Sequence, residues 1–340
     1  MTPTPRASRL VALLAVPSLL FSLAACGSDD GGDDASDTPS SGPVATVSGK
    51  PGEEPELTID TDASVGDEIS GEVLDQGDGA EIGEGDYLRL DAVAKTVSDG
   101  RELVNTWADP NEGAQGSTAP ALPDGLRRQV IAQAGVDSVL LAAVTDPMVG
   151  ATVGSRVQVQ GPAADLLGQG AQNVGLSGDE GVVWVFDIVG ASAVDPGAAA
   201  EGEQAAATDG LPEVTAGEDG APAVTVPEGE DPPAELQQQV LIEGDGPEVE
   251  AGQALVVQYT GVTWADGEKF DSSWDRDAPS AFQIGTGQVV QGWDEGLVGK
   301  HVGDRVLLVI PPDLGYGDQG NQTIPGGSTL VFVVDIVGAA

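Results

Sequence analysis

Residues in the C-terminal third have the types and spacing to build a pocket. Tyr259, Phe270, Trp293, Tyr316 and Phe332 each fall on a different expected element, with turn residues between them, and Asp271 directly follows Phe270. Aromatics placed once per element point to the lining of one concave cavity rather than to a continuous core stripe. Such a cavity can enclose and desolvate a ligand. Attack on the ligand is another matter: the chain has one histidine, His301, and one cysteine, Cys26. A Ser–His or Cys–His hydrolase or a multi-histidine metal site therefore has no material, and neither metal nor cofactor is expected. Taken singly, each residue has a plainer reading. Trp293 could be core, Asp271 could cap the turn before Ser272 and Ser273, and Tyr316 could be a loop aromatic.

The elements that must position these residues are mostly strands. Leu255, Val257 and Tyr259 alternate with Val256 and Gln258; Val306, Leu308 and Ile310 with Leu307 and Val309; Leu330, Phe332, Val334 and Ile336 with Val331, Val333 and Asp335. Asp266-Gly267 between patterned runs is a hairpin signal. Val289, Val290, Trp293 and Leu297 fall on one face of a short expected helix, with Gly299 just past its end. An antiparallel sheet against one short helix is an α+β arrangement, with Trp293 between the two layers.

The same pattern occurs earlier in the chain. Pro55 to Ile59 corresponds to Pro222 to Val226, Gly77-Asp78-Gly79 to Gly244-Asp245-Gly246, and Asp99-Gly100 with Trp107 to Asp266-Gly267 with Trp274, all at an offset of 167 residues. Further on, Val153-Gly154-Ser155-Arg156-Val157 matches Val302-Gly303-Asp304-Arg305-Val306, and the run Trp184 to Gly190 matches Phe332 to Gly338. These correspondences indicate a duplication. The expected organisation is a signal peptide over 1–25, a disordered tether over 26–52, a first domain over 53–191, an acidic linker over 192–220 and a second domain over 221–340.

Composition limits the partners. Thirteen Lys and Arg stand against 56 Asp and Glu, a formal net charge of −43 over 340 residues. Nucleic acid and anionic membrane surfaces both need clustered positive charge, and the acidity favours a soluble monomer. The Asp-rich run from Asp29 to Asp37 lacks the Gly-x₅-Glu end of a calcium loop and reads as solvated linker. At the N-terminus, Arg6 and Arg9 precede an apolar run from Leu10 to Leu23, and Leu23-Ala24-Ala25-Cys26-Gly27 resembles the bacterial lipobox. That resemblance implies lipidation of Cys26 and an exported protein anchored to the outer face of the cell membrane, its only membrane contact. The plainer reading is a leftover thiol at an ordinary signal cleavage site.

An ordered set of motifs adds an identity to the pocket: VQYTG, DGEKFDSS, QVVQGWDEGL, VGDR, PPDLGYG and IPGGSTLVFVV. In that order, residues from about Leu236 to Val337 resemble the FKBP family, the macrolide-binding peptidyl-prolyl cis–trans isomerases. The resemblance implies two α+β FKBP-like domains, each a twisted antiparallel half-barrel around a short helix. It implies Trp293 as the pocket floor, with Tyr259, Phe270, Phe332 and Val289 as walls. Asp271 would be a buried carboxylate, the Tyr316 hydroxyl and the Val290 N–H donors to the ligand, and Arg276 a partner of Tyr259 or Asp271. Phe282 and Ile324 would support the pocket. Proline-containing polypeptides and macrolides are the implied ligands; the alternative is a non-catalytic, chaperone-like envelope lipoprotein that only holds peptides. Two departures stand out. Ser280 sits where many members carry an aromatic, and the loop from Asp318 to Thr323, expected to overhang the pocket, is one residue shorter than in common eukaryotic members. In the first repeat the pocket positions read Ala92, Leu103, Val104, about Val144, and about Leu167 or Gly168, which implies a degenerate domain without isomerase activity.

Overall fold

Period-two alternation draws most of the chain into antiparallel strands. The computed structural model describes residues 44–108, 122, 125–217 and 220–340; Cys26 and the expected signal peptide lie outside them. A two-stranded hairpin, β1 (Ala45–Ser48) and β2 (Glu56–Ile59), comes first. It is followed by β3 (Ser70–Asp75), β4 (Tyr87–Thr96), β5 (Glu102–Asn105), β6 (Val130–Gln133), α1 (Ala142–Thr145), β7 (Arg156–Pro162), α2 (Ala163–Leu167), α3 (Gly170–Asn173) and β8 (Gly181–Ser192). The second half opens on another hairpin, β9 (Glu213–Ala216) with β10 (Pro222–Thr225). It continues with β11 (Gln237–Ile242), β12 (Ala254–Thr263), β13 (Lys269–Ser272), β14 (Ser280–Gln283), α4 (Gln291–Leu297), β15 (Arg305–Ile310) and β16 (Leu330–Ala339). The two six-stranded sheets share one strand order: β3-β7-β8-β4-β5 with β6 on β4, and β11-β15-β16-β12-β13 with β14 on β12.

Each sheet buries both faces. In the second half the inner face carries Leu255, Val257, Tyr259, Val306, Leu308, Phe332 and Val334, packed with Trp293 and Leu297 of α4. The outer face carries Val262, Leu307, Val309, Val331 and Val333, covered by Val214 of β9 with Val224 of β10. In the first half Val44, Ala45 and Leu57 cover Val93, Val183 and Val185 in the same way. All ten residues of β12 are therefore buried. Also on the outer face, the guanidinium of Arg305 donates to both oxygens of Asp335 at 2.6 and 2.7 Å, and Asp335 accepts the Ala200 N–H at 3.0 Å. Arg156 and Asp187 form the equivalent pair, and Arg156 also donates to the carbonyls of Gly49, Lys50 and Glu53 in the first hairpin loop.

The repeated Asp-Gly turns share their geometry. Gly100 and Gly267 both have φ of 67°, a left-handed conformation that glycine adopts without strain. Helix α4 lies close on β15 because Gly292 and Gly296 face it; a Cβ there would come within 2.5 Å of Ile310 and 2.6 Å of Leu308.

The structure departs from the expected elements in three places. Val289 and Val290 precede the helix, since Val290 has extended backbone (φ −60°, ψ 143°) and caps α4. The stretch read as an acidic linker contains β9, which finds its pairing partner in β10. Strand β1 likewise lies within the stretch read as tether.

Candidate functional site

Helix α4 and the inner face of the second sheet enclose a cavity of about 830 Å³. Trp293, in the first turn of α4, is 5% exposed and forms its floor. Edge-on contacts fix the ring: centroids lie 5.3 Å from Tyr259 and 5.0 Å from Phe332, at interplanar angles of 84° and 86°. Phe270 meets Phe332 at 5.4 Å and Phe282 meets Trp293 at 5.1 Å. The Phe270–Phe332 contact depends on Gly261 of β12, where a Cβ would sit 2.7 and 2.8 Å from the two rings.

One wall is polar. The Tyr259 hydroxyl donates to Asp271 Oδ2, and Arg276 donates to Asp271 Oδ1 at 2.6 Å and to the Tyr259 hydroxyl at 2.9 Å. Arg276 thus engages both of its expected partners, and its guanidinium also lies over the Tyr259 ring, 5.7 Å from the centroid. Burial, reinforced by the hydrogen bond to Asp271, pushes the Tyr259 phenol up to about 12. For Asp271 burial acts upward, but the hydrogen bonds from Tyr259 and Arg276 outweigh it and hold the carboxyl below its usual range. The Asp271 side chain is 43% exposed, so it lies on the rim of the cavity and not in its interior as expected.

The sign of the pH dependence follows. Asp271, lowered in the folded state, keeps its contribution above its unfolded value and loses it only as pH falls through the lower folded value. Tyr259, raised, keeps its contribution below its unfolded value and loses it as pH rises toward about 12. The charge states of Tyr259 and Asp271 are therefore expected to hold from about pH 6 to about pH 9, the range between ordinary carboxylate and phenol titrations. Titration of the Asp271 carboxyl or the Tyr259 phenol inside that window, followed by NMR chemical shift, would count against the network.

Val289, Val290 and Tyr316 also line the cavity. Capping α4 leaves the Val290 N–H outside the helical ladder. Tyr316 is 41% exposed, and its hydroxyl has no hydrogen-bond partner among the described residues. Ser280 forms part of the wall, with Phe282 two residues along the same strand. Ile324 is buried in the core cluster behind the aromatics and is not a lining residue. The loop from Asp318 to Thr323 contributes no lining residue either.

The cavity has lining residues that the sequence pattern does not single out: Gln288, Gln291, Asp294 and Glu295. Asp294 shapes the loop before the helix, accepting the N–H groups of Gly285 and Gly287 at 2.6 and 2.8 Å. Its signal is present in the Gly-Thr-Gly turn ahead of the Trp-Asp pair. Burial pushes the Asp294 carboxyl up, against those two backbone donors.

The first half fills the corresponding space. Ala92 stands at the Tyr259 position, Trp184 stacks on Phe186 at 5.1 Å, and Val144, Leu166, Ala171 and Leu176 pack onto the same face. Helices α2 and α3 supply two of those four side chains, Leu166 and Ala171, and α1 supplies Val144. With Val104 and Ala92 there, no carboxylate or phenol occupies the positions of Asp271 and Tyr259.

A family model described as FKBP-type peptidyl-prolyl cis-trans isomerase matches residues 246–337. An FK506-binding protein of Streptomyces anulatus is 50% identical over 111 residues, which cover 32% of this chain and 90% of that protein. FK506-binding protein 2B of Rhizopus delemar is 54% identical over 88 residues, 26% of this chain and 42% of that protein. The crystal structure of FkpA from Escherichia coli matches at 39% identity over 31% of this chain and 47% of that one, with a TM-score of 0.29. The matched stretch thus spans nearly all of the first relative and less than half of the other two.

Proposed function

This chain belongs to the family of FKBP-type peptidyl-prolyl cis–trans isomerases, and from that premise we propose that the pocket of its second half turns X–Pro bonds in exported polypeptides. The observation that carries the reading is the box of Tyr259, Phe270, Trp293 and Phe332, with the Tyr259–Asp271–Arg276 network at its rim. Rotation about a peptide bond is opposed by amide resonance, with a barrier of roughly 18–20 kcal/mol. No bond breaks and no proton leaves, so neither nucleophile nor metal is needed. The twisted amide is less dipolar than the planar one. A water-poor aromatic cavity therefore disfavours the planar ground state relative to the transition state. The Val290 N–H and the Tyr316 hydroxyl hold the flanking carbonyls. Lowering the barrier by ~4–7 kcal/mol corresponds to about a thousand- to a hundred-thousandfold acceleration.

Protease-free isomerisation of a Pro-tetrapeptide by the full-length chain tests this directly. Absence of acceleration would remove the catalytic reading. The FK506-binding proteins among the relatives support a macrolide as a second ligand of the same cavity, read out as inhibition of that reaction.

The remainder of the proposal concerns organisation. The chain is a lipoprotein of two FKBP-like repeats, the first (53–191) without activity and the second (221–340) active. The lipobox-like run ending at Cys26 supports export and anchoring at the outer face of the membrane. Cys26→Ala is expected to release the protein from membranes; retention would refute the anchor. The shared strand order of the two sheets and the filled inner face of the first support the assignment of roles.

A further inference from the structure

The two halves meet beside the pocket. By their contacts the described residues fall in one compact unit, and β6 of the first sheet comes up against β14 of the second. Residues Ser280 and Phe282 of β14 line the cavity, while Gln283 does not. Gln283 is 1% exposed and fully engaged. Its Nε2 donates to the carbonyls of Arg127 and Gly252 at 2.9 and 3.0 Å and to Gln129 Oε1 at 3.1 Å, and its Oε1 accepts the Gln129 N–H at 2.9 Å. Three of these four bonds reach the first half. Next to them, the Tyr87 hydroxyl donates to the Pro279 carbonyl at 3.2 Å and Arg89 to the Gly252 carbonyl at 3.1 Å. The loop before α4 is tied in as well. The Gln283 N–H donates to Gln288 Oε1 at 3.2 Å, and Gln288 Nε2 donates to the Gln129 carbonyl at 3.4 Å.

Strand β14 has little to hold it otherwise. It is four residues long and among the described residues pairs only with β12, and short edge elements lie at the low end of local stability. Yet it carries one wall of the cavity, and a buried glutamine whose hydrogen bonds run to a neighbour's backbone has a cost if that neighbour leaves.

We infer that the first half is a positioning element for the active pocket, and that Gln283 is the positioning residue through which it sets the wall formed by Phe282 and Gln288. The inference rests on the catalytic reading of the pocket and adds a determinant of substrate choice. A repeat that has lost its own pocket shapes the pocket of the other.

The test uses full-length protein and two variants. Gln283→Leu removes the side-chain bonds of this residue to the first half; the double variant Tyr87→Phe/Arg89→Leu removes the neighbouring bonds to the Pro279 and Gly252 carbonyls, and both leave every lining residue of the pocket unchanged. The readout is the ratio of kcat/KM for Leu-Pro and Ala-Pro peptides, which does not depend on the fraction folded. Both variants are expected to shift that ratio by about threefold or more, through KM rather than kcat, on the scale of lost hydrogen bonds. An unchanged ratio in Gln283→Leu would overturn the inference, whatever its total activity. Amide exchange at residues 280–283 reads the same contact without relying on catalysis. Exchange about tenfold faster in Gln283→Leu, with the centre of the second sheet unaffected, supports the inference, and unchanged exchange overturns it. A wild-type chain without isomerase activity would sink the catalytic reading instead, and the exchange measurement would still decide the contact.

Discussion

Full-length protein carrying Asp271→Val is expected to lose about 10- to 100-fold in kcat/KM toward a Pro-peptide, while its stability falls by no more than about 1 kcal/mol. The two halves of that expectation have different origins. As an ion pair, Asp271 and Arg276 are both near half exposure, 43% and 48%, so solvent screens their attraction and their contribution to stability is small. As a positioning device the carboxylate does more. It accepts from the phenol of Tyr259 and from Arg276 together, and without it the Tyr259 hydroxyl and the guanidinium lose their common anchor at the rim of the cavity. Valine keeps the shape and removes both acceptors. Isomerisation kinetics beside urea unfolding separate the effects. Unchanged kcat/KM would reduce Asp271 to a fastening of the Ser272-Ser273 turn.

The opposite pattern is expected on the outer face. Asp335→Ala should destabilise the chain by about 3–5 kcal/mol, the cost of leaving a buried charge without its partner. Asp335 is 1% exposed and Arg305 7%, and after the substitution the guanidinium keeps, among the described residues, only Gln204 as a side-chain acceptor, at 3.0 Å. The Ala200 N–H would lose its acceptor too. Because Asp335 points away from the cavity, the folded fraction should retain its kcat. A urea midpoint shifted without a change of slope, with kcat per folded molecule preserved, is the expected result. A loss below about 1 kcal/mol would mean that water reaches Arg305 in solution.

Much of the pocket is legible in the sequence because its residues announce themselves. Tyr259, Phe270, Trp293 and Phe332 are bulky, rare in this chain and set on alternating runs, so their convergence follows from strand period and motif order. Arg276 is readable as a partner through the family resemblance alone. The position of Val290 is not. Helical spacing puts it on the inner face with Trp293, but Gly292 and Gly296 occupy the close approach to β15 and the helix starts one residue later. Strand β9 is hidden by composition: its Glu, Thr and Ala read as linker, and only pairing with β10 makes them a strand. The joint between the halves leaves no pattern, since Gln283, Gln129 and Gln288 and the backbone carbonyls at its centre carry neither charge nor hydrophobic period, and Tyr87 and Arg89 beside them follow no motif.

The hairpins that precede each sheet bear on how the protein is made. Synthesis runs from the N-terminus, and domains tend to fold as they emerge. Here β1–β2 leaves the ribosome before the sheet whose outer face it covers, and β9–β10 does so before β12, β15 and β16. Each apolar surface is therefore born with its cover already waiting, and the first sheet is complete before β14 appears beside it. A circular permutant that moved β9–β10 behind β16 would keep every contact of the finished fold and lose that order. It should reveal its defect as aggregation during expression and not as a lower melting temperature.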